Sequence, residues 1–154
     1  MAKSKVAYLA GLFDGEGNII IMKSHKEKLN PGYSLRVALS NSSVVLMSMV
    51  EQFREVFNFS INYHPFIDGH KHVYELRAYG ANAAVMLKTI LPYLIIKREE
   101  AGIALEFYEK YGDGRGRRAD SSRKELAESY RHWLQELKGN GKNRIKQETY
   151  CRRN

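Results

Sequence analysis

The chain of 154 residues holds one cysteine, Cys151, so no intrachain disulfide can form and nothing in the sequence argues for secretion. No apolar run reaches the roughly 18 residues that a membrane-spanning helix needs, and no membrane partner is expected. Zinc-binding Cys/His spacing is absent. Gly112-Asp113-Gly114 lacks the Gly-Lys-Ser/Thr ending of a phosphate loop. His70-Lys71-His72 beside Asp68 reads as a hairpin turn rather than a metal cluster. The opening MAKSKVAYLAGLF is basic and then apolar, but its apolar run ends in Asp-Gly-Glu-Gly rather than a small-residue cleavage site. The expectation is an intracellular protein, in a prokaryotic cytoplasm, an organelle or a nucleus. There is no internal repeat, and the segment LAGLFDGEG, residues 9–17, occurs once.

Basic residues are in excess, and they are unevenly placed. Lys and Arg number 25 against 17 Asp and Glu, a formal charge of +8. Residues 1–109 carry 12 basic and 11 acidic side chains, a net +1, and residues 110–154 carry 13 and 6, a net +7. A balance of this kind points to a polyanionic partner, either nucleic acid or an anionic surface. The length suits one domain with a sizeable core, taken as residues 1–138, followed by a basic tail at 139–154. That tail is polar and has the composition of a segment disordered when free.

Periodicity predicts the elements. A first helix spans about Lys5 to Gly15, and an Ile-rich strand runs from Asn18 to about Lys26. Asn30-Pro31-Gly32 makes a turn. From Tyr33 to Ser40 the pattern alternates, with Leu35, Val37 and Leu39 toward a core. Ser42 or Ser43 caps a helix to about Phe57, with Val45, Leu46, Met49, Val50, Phe53 and Val56 or Phe57 as its apolar stripe. Strands follow at Ser60–Ile67, where Pro65 favours an edge, and at His72–Tyr79. Helices complete the chain at about Ala81–Leu91, closed by Pro92, at Ile96–Tyr111, and at Ser122–Lys138. In the last of these, Ala127, Tyr130, Trp133, Leu134 and Leu137 form the stripe. The order αββαββα gives an α+β fold: a four-stranded antiparallel sheet with helices on one face and a polar face left open.

The 9–17 segment carries the most information. Val6, Ala7, Leu9, Ala10, Leu12 and Phe13 make its helix apolar on nearly every side, as in a helix buried all round. Ala7, Gly11 and Gly15 recur every fourth residue, a spacing that lets two helix backbones approach closely. Gly15-Glu16-Gly17 then permits a sharp turn and leaves a carboxylate at the helix end.

This segment resembles the signature of the LAGLIDADG homing endonuclease family. Leu9, Ala10, Gly11, Leu12, Asp14 and Gly17 are identical to the name-giving string, and Glu16 replaces one acid with another. The resemblance implies the αββαββα fold with a saddle-shaped sheet. It also implies a site-specific endonuclease for long, pseudo-palindromic double-stranded DNA. A single motif copy implies a homodimer, because cutting both strands needs acids from two sites. Ala7, Leu9, Ala10, Gly11, Phe13 and Asp14 are expected at the dimer interface. Glu16 is the expected metal ligand, joined by the Gly15 carbonyl. Mg²⁺ is the expected ion, with Mn²⁺ able to substitute and Ca²⁺ bound without supporting cleavage. Asp14 reads as a structural partner at the helix end rather than a metal ligand.

The resemblance adds two more residues. Asn41 corresponds to a polar residue that positions water or metal, and its local alternative is an Asx turn. Lys97 corresponds to an active-site lysine able to stabilise charge at the cut phosphate. Where some relatives place a further basic residue, this chain has Val44 and Val45. DNA reading is expected from the open face through Met22, Ser24, Lys26, Ser34, Arg36, Ala38, Ser40, Asn62, His64, Glu75 and Arg77. Arg115, Arg117, Arg118, Lys142, Arg144 and Lys146, with Arg152 and Arg153, are expected to add sequence-independent phosphate contacts. An intron-RNA maturase or a non-cleaving DNA-binding regulator on the same fold is the competing expectation.

Overall fold

The computed structural model describes residues 2–24, 32–65, 72–112 and 121–151, with side chains as far as Gly139 in the last stretch. The elements are α1 (Lys3–Glu16), β1 (Gly17–Ser24), β2 (Gly32–Asn41), α2 (Val44–Glu51), α3 (Arg54–Phe57), β3 (Ser60–His64), β4 (Val73–Tyr79), α4 (Gly80–Ile90), a 3-10 turn at Leu91–Tyr93, α5 (Arg98–Tyr111) and α6 (Ser121–Cys151). The strands form one antiparallel sheet in the order β1-β2-β4-β3. This is the expected α+β arrangement.

Alternation in the strands separates the two faces. Ile19, Ile21, Tyr33, Leu35, Val37, Leu39, Leu76 and Ala78 are buried against the helices. They join Leu9 and Phe13 of α1, Leu87 and Ile90 of α4, and Ala104 and Phe107 of α5 in one core. No linker separates α1 from β1. The Gly17 N–H closes α1 onto the Phe13 carbonyl, and a Cβ at Gly17 would lie 2.4 Å from that oxygen. Glycine is therefore required here for space, because its φ of −74° is open to any residue.

Four expectations are corrected. The helix expected from Ser43 to Phe57 is broken at Gln52-Phe53, where the Phe53 N–H turns back to the Val50 carbonyl. Its buried side is Met47, Val50, Phe53 and Phe57, so Val45 and Met49 face outward. Strand β3 stops at His64, just before Pro65, on the sheet edge that proline favours. Trp133 is exposed, while Ala127, Tyr130 and Leu134 carry the α6 packing. Finally, α6 continues through Gly139 and Gly141 to Cys151, where composition alone points to an irregular tail.

Helix α6 lies against α5 and the free edge of β1. Glu128 is its polar anchor: it accepts hydrogen bonds from the Tyr33 hydroxyl at 2.5 Å and from Lys23 Nζ at 3.2 Å. Burial alone would raise the Glu128 carboxyl, but these donors outweigh it and hold the group below the ordinary carboxylate range. No helix among the described residues is long and apolar enough to cross a membrane.

Candidate functional site

The site is built at the C-terminal end of α1. Asp14 is 8% exposed, and its two carboxylate oxygens accept the backbone N–H groups of Ile95 at 2.8 Å and Lys97 at 2.9 Å. Lys97 Nζ returns to donate to the Asp14 backbone carbonyl. A cation at a helix C-terminus is also favoured by the helix dipole. Asp14 thus locks the 95–97 turn and the Lys97 ammonium to α1, and its oxygens are already engaged. Glu16, the last residue of the helix, is exposed, and so is Gly15.

Asn41 stands at the same end of the sheet, since Leu39 pairs with Gly17 and Asn41 lies two residues further along β2. Its Oδ1 accepts the Ser43 N–H at 2.8 Å, and Ser43 Oγ in turn accepts the Leu46 N–H at 3.3 Å to cap α2. The Asx turn is therefore present, and it leaves the Asn41 amide NH2 to serve any further role.

A second shell of charge lies behind these residues. Lys138 of α6 donates from Nζ to Asn18 Oδ1 at 2.8 Å and to the Ile19 carbonyl, and sits 3.9 Å from Glu100. Burial pushes the Glu100 carboxyl above its usual range and the Lys138 ammonium below its own, and each group partly offsets the shift in the other. The sequence gives little sign of this cluster, because Lys138 and Asn18 are 120 residues apart. The one available hint is a lysine close to the apolar stripe of the last helix.

Strand pairing sets the rows of the open sheet face. Asn18, Ala38, Arg77 and Ser60 lie in one row across the four strands. Ile20, Arg36 and Tyr79 form the next, and Ser40, Glu75 and Asn62 another. Met22 pairs with Ser34, Ser24 with Gly32, and Val73 with His64. Asn18, Ile20, Ser60, Val73 and Tyr79 share these rows with the expected readers without being among them, and strand register rather than residue type brings them there. Ala38, expected among the readers, is 3% exposed. Arg77 donates to Glu75, whose carboxyl is held below the ordinary range chiefly by that bond, and His64 approaches the same carboxylate at 3.4 Å. Arg36 Nε and Arg77 Nε are buried with no hydrogen-bond partner among the described residues.

The expected interface residues divide by burial. Leu9, Ala10 and Phe13 are 0% exposed in the single chain and Asp14 8%, so these four face the chain's own core rather than its outer surface. The uncovered side of α1 consists of Ser4, Tyr8, Gly11 and Gly15, with Ala7 half-buried beside them. A Cβ added at Gly11 or Gly15 would meet nothing within 4 Å. Lys26, Arg115, Arg117 and Arg118 lie outside the described residues, as do Arg152 and Arg153. Lys142, Arg144 and Lys146 belong to α6, but their side chains lie outside the description.

Among the described residues no three His, Cys, Asp or Glu side chains gather as a metal cage. The donors at the α1 end suit an ion that keeps most of its waters and takes one or two carboxylates along with substrate phosphates, as Mg²⁺ does. Glu16 supplies such a carboxylate. The Gly15 carbonyl, in the last helical turn, has no intrahelical donor and can serve as a second oxygen ligand.

No protein-family model matches the chain, and no curated protein matches it in sequence. Solved structures do match in shape. The homing endonuclease I-CvuI, in complex with its target in 2 mM Ca, superposes with a TM-score of 0.68 at 21% identity, over 87% of this chain and 82% of that one. The archaeal intron-encoded homing endonuclease I-Vdi141I, complexed with DNA, gives 0.67 at 11% identity over 87% and 84%. Meganuclease I-SmaMI bound to DNA gives 0.55 at 13% identity, with 87% of this chain covering 43% of that one. The chain therefore has the fold of the LAGLIDADG homing endonucleases.

Proposed function

We propose that the protein is a site-specific double-strand DNA endonuclease that works as a homodimer with a divalent metal ion. The observation that carries this reading is the end of α1, where the exposed carboxylate of Glu16 follows, two residues on, the buried Asp14 that holds Lys97 in place. A protein that only binds DNA has no use for an acid next to phosphate, where it repels, unless a cation intervenes.

In this reading the open sheet face lies in the major groove. Arg36 and Arg77 offer guanidinium groups suited to guanine, and Asn62 an amide suited to adenine. The uncovered side of α1 packs against its equivalent in a second copy, backbone close to backbone through Gly11 and Gly15. Two-fold pairing places one Glu16 at each strand, matching a pseudo-palindromic target. Glu16 and the Gly15 carbonyl would hold a Mg²⁺ ion, which when bound would supply an activated water and charge neutralisation at the phosphate. Lys97 keeps two of its three ammonium protons for the phosphate or for ordered water, since one goes to Asp14. The Asn41 NH2 can orient a water at the same end of the sheet.

The test is cleavage of a randomised library of long duplexes by wild type and Glu16→Gln, in Mg²⁺ and separately in Ca²⁺. The expected result is discrete cutting by wild type in Mg²⁺ only, with the variant binding the same duplexes uncut. Specific binding without cutting by either protein would refute the nuclease reading in favour of a DNA-binding regulator or an RNA maturase.

A further inference from the structure

We propose that Lys138 is a positioning residue for the cleavage centre, holding the start of β1, and with it Glu16, from a helix outside the αββαββα core. The inference rests on the endonuclease reading and adds α6 to the site.

The geometry is direct. Lys138 Nζ grips β1 twice, through the Asn18 side chain at 2.8 Å and through the Ile19 carbonyl on the free edge of the sheet. Asn18 is two residues from Glu16, and the chain between them has no slack. Gly17 is both the cap of α1 and the first residue of β1, and it is pressed against Phe13. A displacement of Asn18 therefore reaches the Glu16 backbone with little loss. Lys138 also lies 3.9 Å from Glu100, three residues beyond Lys97 at the start of α5. One ammonium thus spans the two segments that carry the carboxylate and the lysine of the site.

Docking of α6 does not explain the residue. Ala127, Tyr130 and Leu134 supply the apolar contact, and Glu128 ties the helix to Tyr33 and Lys23. The Lys138 side chain is only 31% exposed, and Glu100 Oε2 is buried with no hydrogen-bond partner among the described residues. Withdrawing two charges from water in this way is unfavourable for packing alone. An apolar side chain would fill the same space without that penalty.

The experiment compares wild type, Lys138→Met, Lys138→Arg and Glu128→Gln in single-turnover cleavage of the duplex that wild type selects from a randomised library. Mg²⁺ is titrated, and affinity is measured in Ca²⁺. Lys138→Met is expected to bind within about threefold of wild type, since chemistry rather than ground-state binding is affected. Its cleavage is expected to slow by about ten- to a hundredfold, as small misplacements of reacting groups do, and to need more Mg²⁺ for half its maximal rate. Lys138→Arg should recover most of the rate, and Glu128→Gln should cut at the wild-type rate. An unchanged rate in Lys138→Met would overturn the inference. So would an equal loss in Glu128→Gln, which would make docking of α6 the whole effect. If Lys138→Met does not fold, Lys138→Gln replaces it, with the same deciding outcomes. A wild type that cuts no duplex overturns the endonuclease reading and this inference together, whereas cutting that Lys138→Met matches overturns the inference alone.

Discussion

The two sides of α1 have opposite relations to the rest of the chain. One side, Val6, Leu9, Ala10, Phe13 and Asp14, is shut into the chain's own core. The other, with Tyr8, Gly11 and Gly15, faces outward and touches nothing that would demand a small residue. Glycine in a helix interior is unfavourable by about 1 kcal/mol relative to alanine, so two unconstrained glycines on one side want a reason beyond the single chain. The closed side accounts for the fold, and the open side is where the proposed second copy would sit. A helix apolar all round is thus half explained by the monomer.

Phe13→Ala should break the closed side most severely. Loss of a fully buried ring is expected to destabilise the chain by about 3–5 kcal/mol in urea unfolding. Asp14→Asn comes next. It sets an NH2 group against one of the two backbone N–H groups that the carboxylate now accepts, a loss of about 1–3 kcal/mol. It should also release Lys97 and slow cleavage more than it weakens DNA binding.

Gly11→Ala probes the open side and should separate stability from assembly. It is expected to stabilise the monomer by about 1 kcal/mol in thermal melting, while weakening self-association measured by dilution. A variant that destabilised the monomer would place Gly11 on the closed side after all.

The smallest effect concerns the buried charge that α5 adds behind this comparison, at Glu100. Glu100 has its folded pKa raised above 4.5 by burial, so its contribution to stability is fully present below that value and lost as pH rises through the folded pKa. Relative to Glu100→Gln, wild type should therefore lose stability as pH rises from below 4.5 toward neutrality. Parallel urea midpoints for the two proteins across that range check the sign.

Much of the fold was legible because its signals are local. Alternation placed Leu35, Val37 and Leu39 inward, and Pro65 marked an edge. The α2 stripe differs from the expectation because a helix that breaks at Gln52-Phe53 does not keep one 3.6-residue phase: Met47 is at the core in place of Val45 and Met49, and Phe57 rather than Val56 is buried. At the site, Glu16 and Lys97 were visible through the motif and the resemblance. The Asp14 clamp and the Lys138 grip join residues more than 80 positions apart, and no periodicity encodes such contacts. The resemblance points to Leu9, Ala10 and Phe13 at a partner, yet the chain's own core takes that side of the helix, which an all-round apolar sequence does not reveal.

The most direct test is the sedimentation mass of wild type and Gly11→Leu, measured on the same preparations used for cleavage. The prediction is a two-chain mass for wild type, and a one-chain mass with an intact melting transition and no double-strand cutting for the variant. A variant that keeps the two-chain mass and cuts both strands would show that the open side of α1 does not join two copies.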